Sequence, residues 1–354
     1  MEMGSFSMKI ETLKDTAKAL IADGKGLLAI DESTPTCNRR FLKLGIPQTA
    51  ESRRDYREML ITTPDLAKSI SGAILYNETA HQREKSGNTF TQAITDQGII
   101  LGIKVDAGTK DLPGYFGERL TGGLDGLADR LKVYCEMGFR FAKWRAVFEI
   151  GTARPSVVCI EVNAKALARY AFLCQQNGLV PVVEPEVLMD GDHPIERCAE
   201  VTEEVLRGVF CQLNEQGVAL EGLILKCNMV LPGLKCPRQA TPDEVADATV
   251  KCLLRAVPAA VPAVAFLSGG QSGELASARL NAMNVRFKTG LPWALTFSFG
   301  RGLQEPALTL WHGDASHVLE AQRALDHRAR CNRAARLGQY SSAMESQSGK
   351  ESIH

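Results

Sequence analysis

Glu221-Gly-Leu-Ile-Leu-Lys-Cys-Asn-Met-Val230 is an apolar run with one lysine near its C-terminal end. Leu223, Ile224, Leu225, Met229 and Val230 leave no polar side to face water, so the run predicts a parallel strand covered on both faces. Lys226 is out of place there, because an ammonium taken from water must find partners or lose its proton. A lysine driven toward the free amine is a nucleophile for carbonyl groups. Taken alone, Lys226 reads as a strand-end residue that reaches solvent. The decision rests on what the rest of the chain sends to the same place.

Working outward, seven more apolar runs alternate with helical patterns. They are Leu27–Asp31, Ile70–Tyr76, Ile99–Asp106, Phe139–Val147, Val180–Leu188, Ala263–Gly270 and Trp293–Gly300. Helices are expected over Gln48–Ile61, Thr89–Asp96, Leu124–Met137, Glu161–Gln176, Pro194–Gln216, Thr241–Val257, Gly273–Val285 and Ala315–Leu337. Glu32–Asn38 reads as a loop, and Thr241-Pro-Asp-Glu244 as a capping box. Alternating strands and helices imply parallel strands joined by right-handed crossovers, and eight strands are the number that closes a (β/α)8 TIM barrel. The fold class is therefore α/β: one barrel domain over residues 1–340, with an extra N-terminal helix at Glu11–Ala22 and a mobile polar tail over 341–354. A doubly wound sheet competes, but no Gly-x-Gly-x-x-Gly follows the first strand.

Composition narrows the function classes. Lys+Arg and Asp+Glu both number 41, so no polyanion-binding surface is indicated and nucleic acid is not an expected partner. No run approaches a membrane span, and the N-terminus lacks the apolar core of a signal peptide. Ten scattered cysteines without a Cys-x-x-Cys pair read as reduced core residues of a cytoplasm-like compartment. The six histidines do not cluster at ligand spacing, and His312 and His317 read as surface residues, so no metal and no cofactor are expected.

The strand ends carry the chemistry. In a barrel they converge on one mouth. The first run ends in Asp31, the third in Lys104 and Asp106, and the fourth carries Lys143 and Arg145 on one face. Glu184 and Glu186 share a face of the fifth; the sixth offers Lys226; the last two end in Ser268-Gly-Gly270 and Gly300-Arg301. Each charge alone has a bland explanation, since strand ends meet water and exposed pairs contribute little. Together they would form a partly desolvated cluster of cations and carboxylates, which shifts pKa values and marks a functional site. Such a cluster suits a lysine that attacks a ketone while carboxylates move protons. The iminium so formed withdraws electrons, so a C–C bond beta to it can break, with Asp31 taking the hydroxyl proton. The Ser268–Gly270 and Gly300–Arg301 loops match the usual barrel phosphate site, and Ser33, Thr36 and Arg40 could hold a second phosphate. Residue types alone do not choose among Lys104, Lys143 and Lys226 as the nucleophile.

The same residues carry a family resemblance. Leu28-Ala-Ile-Asp-Glu-Ser-Thr34, Phe141-Ala-Lys-Trp-Arg145, Val183-Glu-Pro-Glu186, Leu225-Lys-Cys-Asn-Met229, Phe266-Leu-Ser-Gly-Gly-Gln-Ser272 and Trp293-Ala-Leu-Thr-Phe-Ser-Phe-Gly-Arg301 closely resemble class I fructose-1,6-bisphosphate aldolase. Leu167-Ala-Arg-Tyr-Ala171, Gln176-Asn-Gly178 and Asp190-Gly-Asp-His193 match as well, so the resemblance runs from about Glu11 to about Tyr340. It implies metal-free, reversible cleavage of fructose 1,6-bisphosphate, in glycolysis, gluconeogenesis or the Calvin cycle, by a cytoplasmic or plastid-stromal homotetramer. It implies Lys226 as the Schiff-base lysine, Glu184 as proton carrier, Glu186 as the group that orients Lys226, and Asp31 as base at the C4 hydroxyl, supported by Lys143. Lys104 and Arg145 would be supporting cations. Ser268, Gly269, Gly270, Gly300 and Arg301 would take the C1 phosphate, with Ser33, Thr36 and Arg40 near the C6 phosphate and Arg54 at a further basic position.

Two departures stand out. Pro35-Thr-Cys-Asn38 replaces the Gly-Ser-Ile-Ala of the animal enzymes, which keeps a hydroxyl at Thr36 and stiffens the segment. The family's tails often end in a tyrosine that helps protonate the enamine, whereas this chain ends Ser-Ile-His354 and its last tyrosine is Tyr340. The stretch Tyr56–Gln82 looks nearer the plastid and cyanobacterial branch. Two alternatives are a Schiff-base lyase acting on sedoheptulose 1,7-bisphosphate and a silent barrel kept as a scaffold. Against the scaffold, neither the nucleophile nor its partners are lost.

Overall fold

The apolar runs form strands because their side chains are buried on both faces. In a computed structural model that describes residues 2–347, the strands are β1 (Gly26–Ile30), β2 (Ile70–Leu75), β3 (Ile100–Lys104), β4 (Thr109–Asp111), β5 (Arg119–Thr121), β6 (Phe141–Phe148), β7 (Val180–Val187), β8 (Ile224–Cys227), β9 (Ala263–Phe266) and β10 (Ala294–Phe299). All but β4 and β5 pair in parallel into a closed barrel, in the order β1-β10-β9-β8-β7-β6-β3-β2. The barrel closes where Leu27 and Leu28 pair with Ser298 and Phe299. The helices are α1 (Glu2–Ala19), α2 (Thr34–Lys43), α3 (Ala50–Ile61), α4 (Asn77–Ala80), α5 (Phe90–Asp96), α6 (Leu127–Glu136), α7 (Val157–Gln176), α8 (Ile195–Glu215), α9 (Pro242–Ala256), α10 (Gly273–Arg286), α11 (Arg301–Trp311) and α12 (Val318–Arg336). The predicted (β/α)8 TIM barrel is the fold.

Two cores hold it. The larger fills the layer between strands and helices, with Trp144 stacked near Tyr170 of α7 and Tyr56 stacked on Trp311. The smaller lies inside the barrel, where Leu13 and Ala17 of α1 and Leu20 just beyond it join Leu27, Ala29, Ile74, Phe141, Val180, Val182, Ile224, Ala263 and Ala265. The four-residue spacing of Leu13 and Ala17 puts them on one helix face, and Leu20 continues it just past the helix end. Most of the strand residues they join lie toward strand starts, so α1 stops the N-terminal end of the barrel. Inside, the Phe141 ring is accommodated by a missing side chain: a Cβ on Gly102 would lie 2.1 Å from it.

The structure departs from the sequence reading in five places. Glu32–Asn38 is not a loop beyond Ser33, because α2 starts at Thr34 with Pro35 in its first turn, where proline is tolerated, and buries Cys37 and Phe41 on one face. Residues 301–311 form α11 despite Pro306 inside it. The β4–β5 hairpin leaves the barrel after β3, and its Glu118 receives the Ser156 N–H at 2.5 Å, so α7 begins at Val157 rather than Glu161. The first helix starts earlier than expected and ends at Ala19. The polar tail is ordered at its start. Ser342–Gln347 forms a 3-10 helix whose Glu345 pairs with buried Arg328 at 2.5 Å and accepts from the Tyr340 hydroxyl at 2.8 Å. The rest of that tail, 348–354, including His354, lies outside the described residues. The capping box at Thr241 is present, with Pro242 in the first turn.

No helix among the described residues is long and apolar enough to cross a membrane. All ten cysteines are free thiols. His312 and His317 are exposed, as expected.

Candidate active site

Strand alternation aims the charged residues inward. On β6, Lys143 and Arg145 share one face, while Trp144 points into the helical layer. On β7, Glu184 and Glu186 do the same, and the register sets Arg145 beside Glu184. Lys226 comes from β8 and Asp31 from the residue after β1.

These four strand ends meet in a chain of ion pairs. Lys226 Nζ lies 3.0 Å from Glu184 Oε1; Glu184 Oε2 lies 3.0 Å from Lys143 Nζ; Lys143 Nζ lies 2.6 Å from Asp31 Oδ2. None of the four is more than 8% exposed. Charges this deep must be compensated by one another. Burial pushes the Asp31 carboxyl up, but Lys143 and then Lys226 outweigh it and hold it at about 2. Burial likewise raises Glu184, and Lys143, Lys226 and Arg145 bring it below its ordinary value. Burial disfavours the Lys143 ammonium, yet Asp31 and Glu184 on either side raise its pKa, so it stays a cation. The chain thus alternates cation and carboxylate, with one carboxylate between two lysines.

Other predicted residues surround it with counter-ions of their own. Lys104 pairs with Asp106 at 2.7 Å. Glu186 pairs with Arg145, and the carboxylate against Lys226 is Glu184. Beyond β9 and β10, Arg301 donates to the Gly269 carbonyl at 2.8 Å, and Ser268 Oγ accepts the Gly302 N–H at 3.3 Å. Gly269 has φ +61, which favours glycine, and Gly270 lies close to Met189. Gly300 caps α11, so a helix N-terminus opens beside the Ser268–Gly270 loop. The positive end of the helix dipole there suits an anion.

The first-loop residues split. Ser33 donates to Thr36 at 3.1 Å, and Arg39, not Arg40, also donates to Thr36, at 3.0 Å. Arg40 is engaged by Glu32 at 2.7 Å, Gln304 at 2.9 Å and Glu305 at 2.9 Å. Arg54 is bound within its own helix, to Asp55 and, at 3.8 Å, to Glu58, and does not join the cluster.

Three supporting residues were not singled out in the sequence. Glu32 joins Arg40 to Arg57, which lies 2.8 Å from its other oxygen. Gln304 accepts from Tyr56 at 2.7 Å and donates to the Ala29 carbonyl, two residues before Asp31. Asn228 accepts the Val187 N–H at 2.9 Å and so fastens the end of β7 to the segment after Lys226. Asn228 carries a signal, an amide two residues past the odd lysine. Gln304 sits on a helix the sequence reading lacked.

The chain is similar over most of its length to known proteins. The family model described as fructose-bisphosphate aldolase class-I matches residues 12–354. A probable fructose-bisphosphate aldolase class 1 of Xanthomonas campestris is 54% identical over 94% of this chain and 99% of its own length. The fructose-bisphosphate aldolase of Dictyostelium discoideum is 50% identical over 96% of this chain and 95% of its own. A solved fructose-bisphosphate aldolase of Plasmodium falciparum, in complex with TRAP and a small-molecule inhibitor, superposes with a TM-score of 0.92 at 48% identity, over 94% of this chain and 96% of that one.

Proposed function

The chain belongs to the class I fructose-bisphosphate aldolase family, and from that premise we propose that it cleaves fructose 1,6-bisphosphate through a Schiff base on Lys226. The observation that carries this reading is the chain Lys226–Glu184–Lys143–Asp31.

Lys226 Nζ attacks the C2 carbonyl. Glu184, ionised at rest and 3.0 Å from that nitrogen, takes one after the other the two protons the nitrogen sheds on its way to the iminium and passes both to the oxygen that leaves as water. The product is an iminium. Asp31, held ionised near Lys143, removes the C4 hydroxyl proton. The C3–C4 bonding electrons then flow into the iminium, giving an enamine and free glyceraldehyde 3-phosphate. Protonation at C3 and hydrolysis release dihydroxyacetone phosphate. We assign the C3 proton to the Glu184 relay, because the last tyrosine, Tyr340, is bonded to Glu345. Lys143 stays charged throughout and keeps both carboxylates in their basic form. Every step is acid–base and covalent, as in class I chemistry, which uses no metal.

The C1 phosphate is assigned to Ser268, Gly269, Gly270, Gly300 and Arg301 at the start of α11. The C6 phosphate is assigned to Ser33 and Thr36, with Arg39 beside them and Arg40 bracing the segment from below. Arg145, Glu186, Lys104 and Asp106 act as paired supports; Arg54 has no place in this assignment. We place the reaction in the cytoplasm, following relatives such as the cytosolic aldolase 4 of Arabidopsis thaliana. Assembly as a homotetramer is supported by the family resemblance and by exposed Phe116 and Val157, on the hairpin and on the helix start it touches.

The test is reduction with borohydride in the presence of dihydroxyacetone phosphate, followed by peptide mapping. The expected adduct is on Lys226, and it disappears in Lys226→Met. An adduct on another lysine overturns the assignment. A chelator should leave turnover unchanged.

A further inference from the structure

Arg279 on α10 is a buried cation with no carboxylate partner among the described residues. It is 4% exposed; its Nη1 donates to Gln271 at 2.9 Å, its Nη2 to the Ala240 carbonyl at 3.4 Å, and its Nε has no acceptor among the described residues. Burial pushes its pKa down to about 10, with no opposing charge, so it is still a cation near neutrality. The other buried arginines each have a carboxylate: Arg53 pairs with Glu78, Arg57 with Glu32, and Arg328 with Glu345. An uncompensated buried charge is costly, so a fold that keeps one there calls for an anion from outside.

Its position says which anion. Gln271 follows Gly270 directly, and its backbone N–H turns on the Ser268 carbonyl at 3.0 Å. The far end of its side chain reaches Met229 Sδ at 3.8 Å, three residues past Lys226. Gln271 is itself 8% exposed, so the link runs through the interior, where charge is poorly screened. One guanidinium is therefore braced behind both the phosphate loop and the lysine strand.

We propose that Arg279 is a positioning residue for the C1 phosphate: it fixes the Ser268–Gly270 loop through Gln271 and supplies a positive charge that the substrate's phosphate balances. The proposal rests on the Schiff-base reading above. It separates phosphate recognition from amine chemistry, and the two can be read apart in one assay. Borohydride trapping is titrated with dihydroxyacetone phosphate and, separately, with dihydroxyacetone, which has the ketone and lacks the phosphate.

In Arg279→Met, the dihydroxyacetone phosphate needed for half-trapping should rise about tenfold, the loss of one moderate charge–phosphate interaction. Trapping by dihydroxyacetone should not move. Arg279→Lys keeps the charge without the fork and should recover part of the loss. Gln271→Ala should show the same phosphate-only effect, and it carries the test if Arg279→Met does not fold. In steady state, KM rises more than kcat falls. Equal shifts for both ketones would mean general damage to the site, and no shift for either would mean a structural arginine; both outcomes overturn the proposal. If the unaltered chain traps neither ketone, the Schiff-base reading fails, and this proposal with it.

Discussion

Lys143 touches both carboxylates that move protons, yet in the proposed mechanism it moves none itself. Its contribution is electrostatic: it is the largest favourable influence on Asp31, which burial alone would raise. Lys143→Met therefore frees the Asp31 carboxyl to climb from about 2, and Glu184 to rise with it. The expected outcome is a fall in kcat of about 10²–10³-fold, because a base that is protonated at working pH is no base. The sign is fixed by the direction of the shift. In the parent enzyme Asp31 is held at about 2 and Glu184 below its ordinary value, so both are ionised at working pH and the acid limb of kcat/KM is set elsewhere. In the variant that limb moves up toward neutrality, which a pH–rate profile will show. An unmoved limb would mean that Asp31 is not governed by Lys143. At this scale the sequence was informative, because a charge in an apolar period-two run is visible without a structure. Lys143, Glu184 and Lys226 were legible for that reason. Pairings were not: spacing says which face a side chain takes, not which neighbour it meets, and the ion pair of Glu186 with Arg145 shows only in the structure.

Elements were legible where their patterns were pure and hidden where a proline interrupted them. Pro35 and Pro306 both lie in stretches where no helix was expected, yet one sits in a first turn and the other is carried inside an eleven-residue helix. Losing α11 from the sequence reading also lost Gln304 and the helix start beside the phosphate loop. The inside of the barrel shows a different constraint, one of volume. Phe141 fills the space that strand β3 leaves open at Gly102, and a Cβ there would lie 2.1 Å from the ring. Gly102→Ala should destabilise the fold by about 1–3 kcal/mol, the usual cost of overpacking a filled core. Urea unfolding will measure it. Adding Phe141→Leu should return part of the loss, and a purely additive double mutant would show that the two do not share that space.

For the whole molecule, strand count and chain direction were enough. Eight runs in alternation admit few topologies once crossovers are right-handed, and the barrel is the one that gathers every charged end at one mouth. The hairpin was out of reach, because three-residue strands in a glycine-rich stretch carry no periodic signal. So was the return of the chain after α12, which rests on a single acid, Glu345, meeting an arginine buried in that helix.

One feature of the barrel bears on traffic rather than chemistry. With Leu13, Ala17 and Leu20 stopping its other end, the barrel leaves the site one open end among the described residues. Whatever enters last must leave first. The ketone half stays bonded to Lys226 after the carbon chain parts, so the aldehyde departs ahead of it, and nothing can slip out behind. Product inhibition should record that queue: dihydroxyacetone phosphate competitive with the sugar bisphosphate, glyceraldehyde 3-phosphate mixed. Competitive inhibition by both would mean the queue does not exist.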